Sequence, residues 1–207
     1  MAVSYTIRAD VVDIRRDNPK PGDVFLVDTN VWYWITYNRA SQADQPPRSY
    51  QIQNYSSYIG RAISAKSRLH RLGLSLAELA HLIEKTEREI FIRSNGIVRP
   101  KEYRHNHPAE RSNVVAEIQA AWGQVKTVAA PVDLLVDEPT TDAALNRLQI
   151  QYLDGYDLLI LEAISKAGIT QVITDDGDYA TVPGIQVFMS NSNVIQTAQS
   201  HGRLVTR

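Results

Sequence analysis

The chain has 207 residues, with 22 basic and 23 acidic side chains and a formal net charge of −1 at pH 7. This balance excludes a global positive field that would draw the protein onto nucleic acid, so any contact with a polyanion must use a local patch. With 43% hydrophobic residues the chain can bury a sizeable core, and its length fits one domain spanning residues 1–207. The lack of cysteine excludes disulfides, thiol catalysis and thiolate zinc sites.

The apolar segments are too short or too interrupted for a membrane role. Arg8 breaks the start of the chain before a signal-type apolar core can form, and no run approaches the roughly 20 apolar residues that span a bilayer. We therefore expect a cytoplasmic protein without a membrane partner. The five histidines have no convincing zinc spacing.

Strand-like and helix-like segments alternate along the chain, which predicts a parallel α/β sheet. After a β-leaning opening over residues 3–14 and a turn at 18–22, the apolar run from Val24 to Val27 predicts a central strand buried on both faces. The next predicted segments are a helix over 31–37, a loop over 42–48, a helix over 49–71, an apolar stretch at 72–76 and a helix over 77–91. They are followed by a helix that Ser112 caps and that reaches Trp122, a strand at 134–136 and a helix over 141–151. The last are an apolar helix over 158–167 ended by Gly168, strands at 172–174 and 185–188, and a helix from Asn193.

Four acidic motifs stand where a strand or loop passes into a helix or turn. They are Val27-Asp28-Thr29-Asn30, Ser75-Leu76-Ala77-Glu78, Asp154-Gly155-Tyr156-Asp157 and Thr174-Asp175-Asp176-Gly177-Asp178. Ligands of an open parallel sheet bind at the carboxyl ends of its strands, so we expect the acids to converge there. Gathered carboxylates suit a hard cation such as Mg²⁺ or Mn²⁺. The pattern points to a metal-dependent nuclease with one or two cations held by Asp28, Glu78, Asp157 and Asp176, and with Asp178 as an auxiliary ligand.

Each acid also has a purely structural interpretation, which the sequence leaves open. Asp28 can cap the following helix or form a turn with Asn30, and Ser75 with Glu78 has the spacing of a capping box. Asp154 with Asp157 imitates such a box, and the pair at 176–177 is an ordinary turn signal.

The same motifs resemble those of the PIN-domain ribonucleases, in the family's order, over roughly residues 23–190. The matching segments are Asp28-Thr29-Asn30-Val31-Trp32, Leu76-Ala77-Glu78-Leu79, the helix opening at Asp157, and Thr174-Asp175-Asp176-Gly177-Asp178-Tyr179. The resemblance implies a three-layer α/β/α fold and cleavage of RNA by metal-held water, with Thr29, Asn30 and Thr174 orienting the carboxylates or the water. It also implies a toxin-type endoribonuclease with an antitoxin or other protein partner, and a homodimer. The chain departs from the compact members of the family in an extension over residues 1–22 and a helical, basic insertion over 84–112.

Local basic clusters are the candidates for RNA contact. They provide Arg68 and Arg71 before the Glu78 motif, and Arg99, Lys101 and Arg104 in the insertion. A solvated charged face is the alternative interpretation of these clusters. Trp32 and Trp34 are interpreted as core or dimer-interface aromatics, with stacking on an unpaired base as the alternative.

Two other function classes remain as alternatives to a nuclease. A phosphatase of the haloacid dehalogenase type also begins with a strand-terminal Asp, but it needs a second Asp where this chain has Asn30. A non-catalytic PIN-like module that binds RNA or protein is the stronger alternative. Retention of all four acids argues against it, because crowded like charges without a cation cost stability.

Overall fold

The computed structural model describes residues 4–207, and Val3, where the predicted β-leaning opening starts, lies outside them. Within residues 4–207 six strands form one sheet: β1 (Asp10–Asp13), β2 (Val24–Val27), β3 (Arg68–Leu72), β4 (Ala130–Val132), β5 (Gln171–Ile173) and β6 (Gln186–Met189). Their order is β1-β6-β5-β2-β3-β4, and every pairing is parallel. The predicted central strand at 24–27 is confirmed, and the N-terminal extension supplies the edge strand β1.

Eight α-helices lie within the described residues 4–207. They are α1 (Thr29–Thr36), α2 (Ser49–Ser64), α3 (Gly73–Asn95), α4 (Pro100–Asn106), α5 (Pro108–Val128), α6 (Glu138–Leu148), α7 (Gly155–Lys166) and α8 (Ser192–Ser200). Short 3₁₀ turns add Ala40–Gln42 and Gly177–Thr181. Across residues 4–207, no helix combines the length and apolar character needed to cross a membrane.

The two faces of the sheet bury alternate residues of each strand, as the period of a strand requires. Phe25 and Val27 of β2 pack with residues of α1, α2 and α5. Leu26, between them, packs with residues of α6, α7 and α8. The sheet is therefore covered by helices on both faces, which confirms the predicted three-layer α/β/α class.

The strand order reverses beside β2. The chain passes from β2 to β3 and β4 on one side, and then returns to place β5 on the other side of β2. In open α/β sheets this switch point is where a crevice forms at the carboxyl ends of the strands. The ends of β2 and β5 are joined there by a 3.0 Å hydrogen bond from the amide of Asp28 to the carbonyl of Ile173.

The helix α4, most of α3 and the first part of α5 form a helical arm, whereas the end of α5 packs against the sheet through Val125. The start of α3 meets the end of α5, where Leu79 and Ile83 pack with Ala121, and the end of α3 packs near the start of α5 through Phe91 and Val114. The 21 residues of α5 extend about 31 Å at 1.5 Å per residue, whereas the strands span roughly 10–16 Å. Because α5 leads into the amino end of β4, its start projects past the carboxyl edge of the sheet. Most of the predicted insertion lies in this arm.

The predicted helix over 49–71 is wrong in its last third. The helix α2 ends at Ser64, and residues 68–72 form the internal strand β3. Lys66 takes a left-handed conformation, with φ of 59°, and the amide of Ser67 donates to the carbonyl of Ala62. This is a Schellman ending in which lysine occupies the position that glycine usually takes, so the expected signal for the helix end is missing.

Other predicted boundaries shift for local reasons. The helix expected to begin at Ser112 begins at Pro108, a residue suited to the first helical position, and the Ser112 hydroxyl instead donates to the Pro108 carbonyl. The strand expected at 134–136 is absent from the structure of residues 4–207, and β4 lies earlier, where Pro131 is tolerated because the strand is at an edge. The predicted left-handed ending at Gly168 is confirmed, with φ of 68°.

Candidate metal centre at the carboxyl edge of the sheet

The first and last acidic motifs meet at the switch point. Asp28 follows β2 directly, and Thr174 follows β5. The hydroxyl of Thr174, which is fully buried, donates to Oδ2 of Asp28 at 2.7 Å and accepts from the amide of Asp176 at 2.9 Å. One threonine therefore joins the two strand ends and holds the first carboxylate beside the loop that carries the last one.

The carboxylate of Asp28 is not a helix cap. Asp28 occupies the residue before α1, but its side chain makes no capping hydrogen bond to that helix. Only 7% of the residue is exposed. The helix-cap interpretation of this acid is therefore wrong, and its buried carboxylate is left for another role.

The second motif joins the cluster through Thr29. The Thr29 hydroxyl donates to Oε2 of Glu78 at 2.5 Å, which places this carboxylate beside the start of α1. The capping-box interpretation is wrong, because α3 begins at Gly73 and Ser75 lies inside the helix without a capping role. Glu78 instead lies close enough to Asp28 and Asp154 for their charges to interact.

The third motif contributes a buried acid and an exposed cap. Asp154 caps α7, since its Oδ1 accepts from the amides of Tyr156 and Asp157, so its structural interpretation is confirmed. Asp157 lies buried in the first turn of α7, where its Oδ1 accepts a 2.7 Å hydrogen bond from the hydroxyl of Tyr179. That tyrosine, which is 1% exposed, fixes Asp157 from the fourth motif.

The fourth motif turns sharply after β5. Oδ1 of Asp176 accepts from the amide of Asp178 at 2.9 Å and so caps the 3₁₀ turn that follows. The turn interpretation of this motif is therefore correct, and it coexists with a place in the acidic cluster. Asp178 itself is partly buried beside Asp176.

The electrostatics of the cluster favour an added cation. Burial, followed by the charges of Asp176 and Glu78, raises the pKa of Asp28 to about 7. Burial and the charge of Asp28 raise the pKa of Asp157 to about 8. Burial also raises the pKa values of three further acids, Glu78, Asp176 and Asp178. Within residues 4–207, none of the five takes part in a salt bridge with a basic side chain.

The donor set fits a hard divalent cation held in part through water. Across residues 4–207, no three carboxylate or imidazole groups stand close enough together to hold a metal ion jointly. Magnesium uses one or two direct carboxylates and keeps several of its waters, so oxygen donors spread around a crevice suit it. The chemistry of the residues and their uncompensated charge therefore agree with such an ion.

Three residues far away in sequence support the last motif, although no sequence pattern indicated them. Oδ2 of Asp175 accepts from Tyr50 at 2.7 Å and from Gln51 at 2.8 Å, while Oδ1 accepts from Tyr55 at 2.7 Å. These bonds tie the start of α2 to the loop between Thr174 and Asp176. The partners are more than 100 residues apart along the chain, so no local pattern could have revealed them.

The predicted RNA-contact residues do not gather at the cluster. Arg68 opens β3 beside Val24 and so lies at the amino edge of the sheet, opposite the acids. Arg71 stacks over Trp122, with its guanidinium carbon 5.0 Å from the ring centroid. The remaining three predicted residues lie in or next to α4 at the end of the helical arm, and they are Arg99, Lys101 and Arg104. Arg104 pairs there with Glu84.

The two tryptophans of α1 have different environments. Trp32 is fully buried among core residues, which confirms its interpretation as a core aromatic. Trp34 is only partly buried and lines an open groove together with Asn30.

No family model matches the chain, and a search of curated proteins finds no match either.

Proposed function

We propose that the protein is a metal-dependent ribonuclease that hydrolyses RNA phosphodiester bonds. The observation that carries the proposal is a set of four carboxylates around the crevice at the switch point, none of which forms a salt bridge among residues 4–207: Asp28, Glu78, Asp157 and Asp176. No three of them are close enough to hold one ion jointly, so water would supply part of its coordination. Buried like charges of this kind are costly unless protons or cations neutralise them.

These four carboxylates would hold one or two Mg²⁺ or Mn²⁺ ions, directly or through water, with Asp178 as an auxiliary ligand. A cation bound there would lower the pKa of its bound water and would stabilise the negative charge on the leaving oxygen. Thr29 and Thr174 orient two of the carboxylates through the hydrogen bonds described above. Near neutral pH the raised pKa values leave Asp28 partly and Asp157 largely protonated in the cation-free protein, and cation binding would release these protons.

The finer parts of the proposal come from the resemblance to PIN-domain ribonucleases. They are a toxin-type endoribonuclease activity, an antitoxin or other protein partner, a homodimer and a cytoplasmic location. RNA is preferred over DNA on the same ground, because carboxylate-held cations attack either backbone and discrimination depends on contacts such as those to the 2′-hydroxyl.

Cleavage of a mixed set of structured and single-stranded RNAs, alongside DNA, tests the proposal. Wild-type protein should cleave RNA with Mg²⁺ or Mn²⁺ but not with EDTA, and Asp28→Asn and Asp176→Asn should each lose the activity. Asp142→Asn is the matched control, because Asp142 is an exposed acid on α6, outside the cluster. Activity that survives both cluster substitutions in folded protein would rule out the assigned site.

The midpoint temperature of thermal unfolding, measured with and without Mn²⁺, distinguishes a nuclease from a non-catalytic module. A cation that binds only the folded state raises the midpoint by mass action. We expect this rise in the wild type and in Asp142→Asn, and a smaller one in Asp28→Asn. A protein that neither cleaves RNA nor responds to Mn²⁺ would instead be a binding module.

A further inference from the structure

We propose that a groove between α1, α2 and α3 binds an unpaired nucleotide of single-stranded RNA next to the acidic cluster. The inference rests on the proposed function, since it names the part of the substrate that this surface would hold. The groove has a volume of about 410 Å³ and is lined by α1, the segment over residues 43–48, the start of α2 and the middle of α3. This volume is within the range of sites for small organic ligands, roughly 300–1,000 Å³.

The groove adjoins the acidic cluster through two lining residues. Asn30 is two positions after Asp28 and directly follows Thr29, the residue that bonds Glu78. Gln51, also in the lining, donates to Asp175, the neighbour of Asp176. A nucleotide in the groove would therefore be followed along its strand by a phosphate near the carboxylates.

The lining combines the three kinds of group that an unpaired nucleotide needs. Trp34 offers a partly exposed aromatic ring, which stacks on bases of any sequence. Asn30 and Gln45 are exposed amides, each with donors and an acceptor for the base edge that pairing would otherwise occupy. Arg48 is exposed beside Tyr50 and forms no salt bridge within residues 4–207, so its guanidinium can contact a phosphate.

The wall of the groove over residues 39–48 is fastened to α3. Arg39 binds both oxygens of Glu87, at 2.9 and 2.7 Å, and the amide of Asp44 donates to Glu89 at 2.9 Å. Arg93 closes the same segment onto α3 through Asp44 at 2.9 Å. These bonds hold the wall in place before any ligand arrives, which lowers the entropic cost of binding.

Binding of a single-stranded oligoribonucleotide that carries 2-aminopurine tests the proposal. The parent is the full chain with Asp28→Asn, in Mg²⁺, so that the proposed cleavage does not consume the probe. We expect Trp34→Leu to weaken binding about tenfold and to remove the 2-aminopurine quenching, while Trp34→Phe keeps most of both. Arg48→Ala should weaken binding several-fold and reduce its salt dependence.

Matched controls separate the groove from general effects. Arg203→Ala removes an exposed arginine beside the start of β1, at the opposite edge of the sheet, and Gln42→Ala removes an exposed amide outside the groove, whereas Gln45→Ala removes one inside it. The two controls should bind as the parent does, and Gln45→Ala should bind more weakly. Thermal melting verifies that each variant is folded.

The outcome separates this inference from the proposed nuclease activity. If the wild type cleaves RNA but folded Trp34→Leu and Arg48→Ala bind the probe as the parent does, the groove is not the nucleotide site and the nuclease proposal stands. If the wild type does not cleave while the groove variants lose binding, the groove stands and the activity fails. A parent that binds no probe, or that binds duplex RNA equally well and independently of Trp34, overturns the inference.

Discussion

Replacing Asp28 with asparagine should stabilise the cation-free protein, and by more as the pH rises. The substitution keeps the shape of the side chain and an oxygen that can accept the 2.7 Å bond from Thr174, but it removes a buried charge. Because burial raises the pKa of Asp28 in the folded state, its contribution to stability is fully present at low pH and is lost as the pH rises through about 7. Asparagine does not titrate, so the variant lacks this loss.

The size of the effect follows from the same pKa. Raising a carboxyl pKa from its ordinary value of 3.8 to about 7 costs the ionised folded state about 4 kcal/mol, at about 1.4 kcal/mol per tenfold change in proton affinity. At pH 5 only about 2 kcal/mol of that cost is present, because the folded protein still holds the proton. The stability difference between variant and wild type should therefore grow by roughly 2–3 kcal/mol between pH 5 and pH 8.

Urea denaturation in EDTA at several values from pH 5 to pH 8 measures this difference. Asp142→Asn serves as control, because it removes an exposed acid and should leave the pH dependence of the wild type unchanged. Saturating Mn²⁺ should reverse the order at pH 8, since the wild type binds the cation better. A difference that stays constant with pH, or a variant less stable than the wild type at pH 8 in EDTA, would refute the electrostatic reasoning.

Two further predictions concern the packing of the chain. Arg207 donates to both oxygens of Asp17 and of Asp23. The substitution Arg207→Met should leave these two buried carboxylates without a salt bridge and lower the free energy of unfolding by about 3–5 kcal/mol. Urea denaturation measures this loss, and a value under 1 kcal/mol would contradict the prediction. A Cβ on Gly177 would overlap Cε1 of Tyr5, so Gly177→Ala should lower the free energy of unfolding by about 1–3 kcal/mol. Adding Tyr5→Ala should remove that penalty, and strictly additive losses in the double variant would show that the clash is not its cause.

Much of the fold could be predicted locally. The run from Val24 to Val27 is apolar throughout because helices cover both sides of its strand, so its burial could be predicted from these four residues alone. The convergence of Asp28 with Asp176 followed from topology, since parallel strands end at one edge. The strand β3 escaped prediction because Lys66 stands where a glycine would have marked the end of α2.

The sequence by itself determined the class of the fold, the order of the acidic motifs and the oxygen-donor character of the candidate site. Only the tertiary structure decided which acids cap helices and which are buried without a basic partner, and how strongly their charges repel one another. It also decided that Trp34 lines a groove whereas Trp32 lies in the core. The physical reason is that pKa values and exposure sum the effects of groups from distant parts of the chain. Tyr55 and Asp175, for example, are separated by 120 residues and become hydrogen-bond partners only when α2 packs against the sheet.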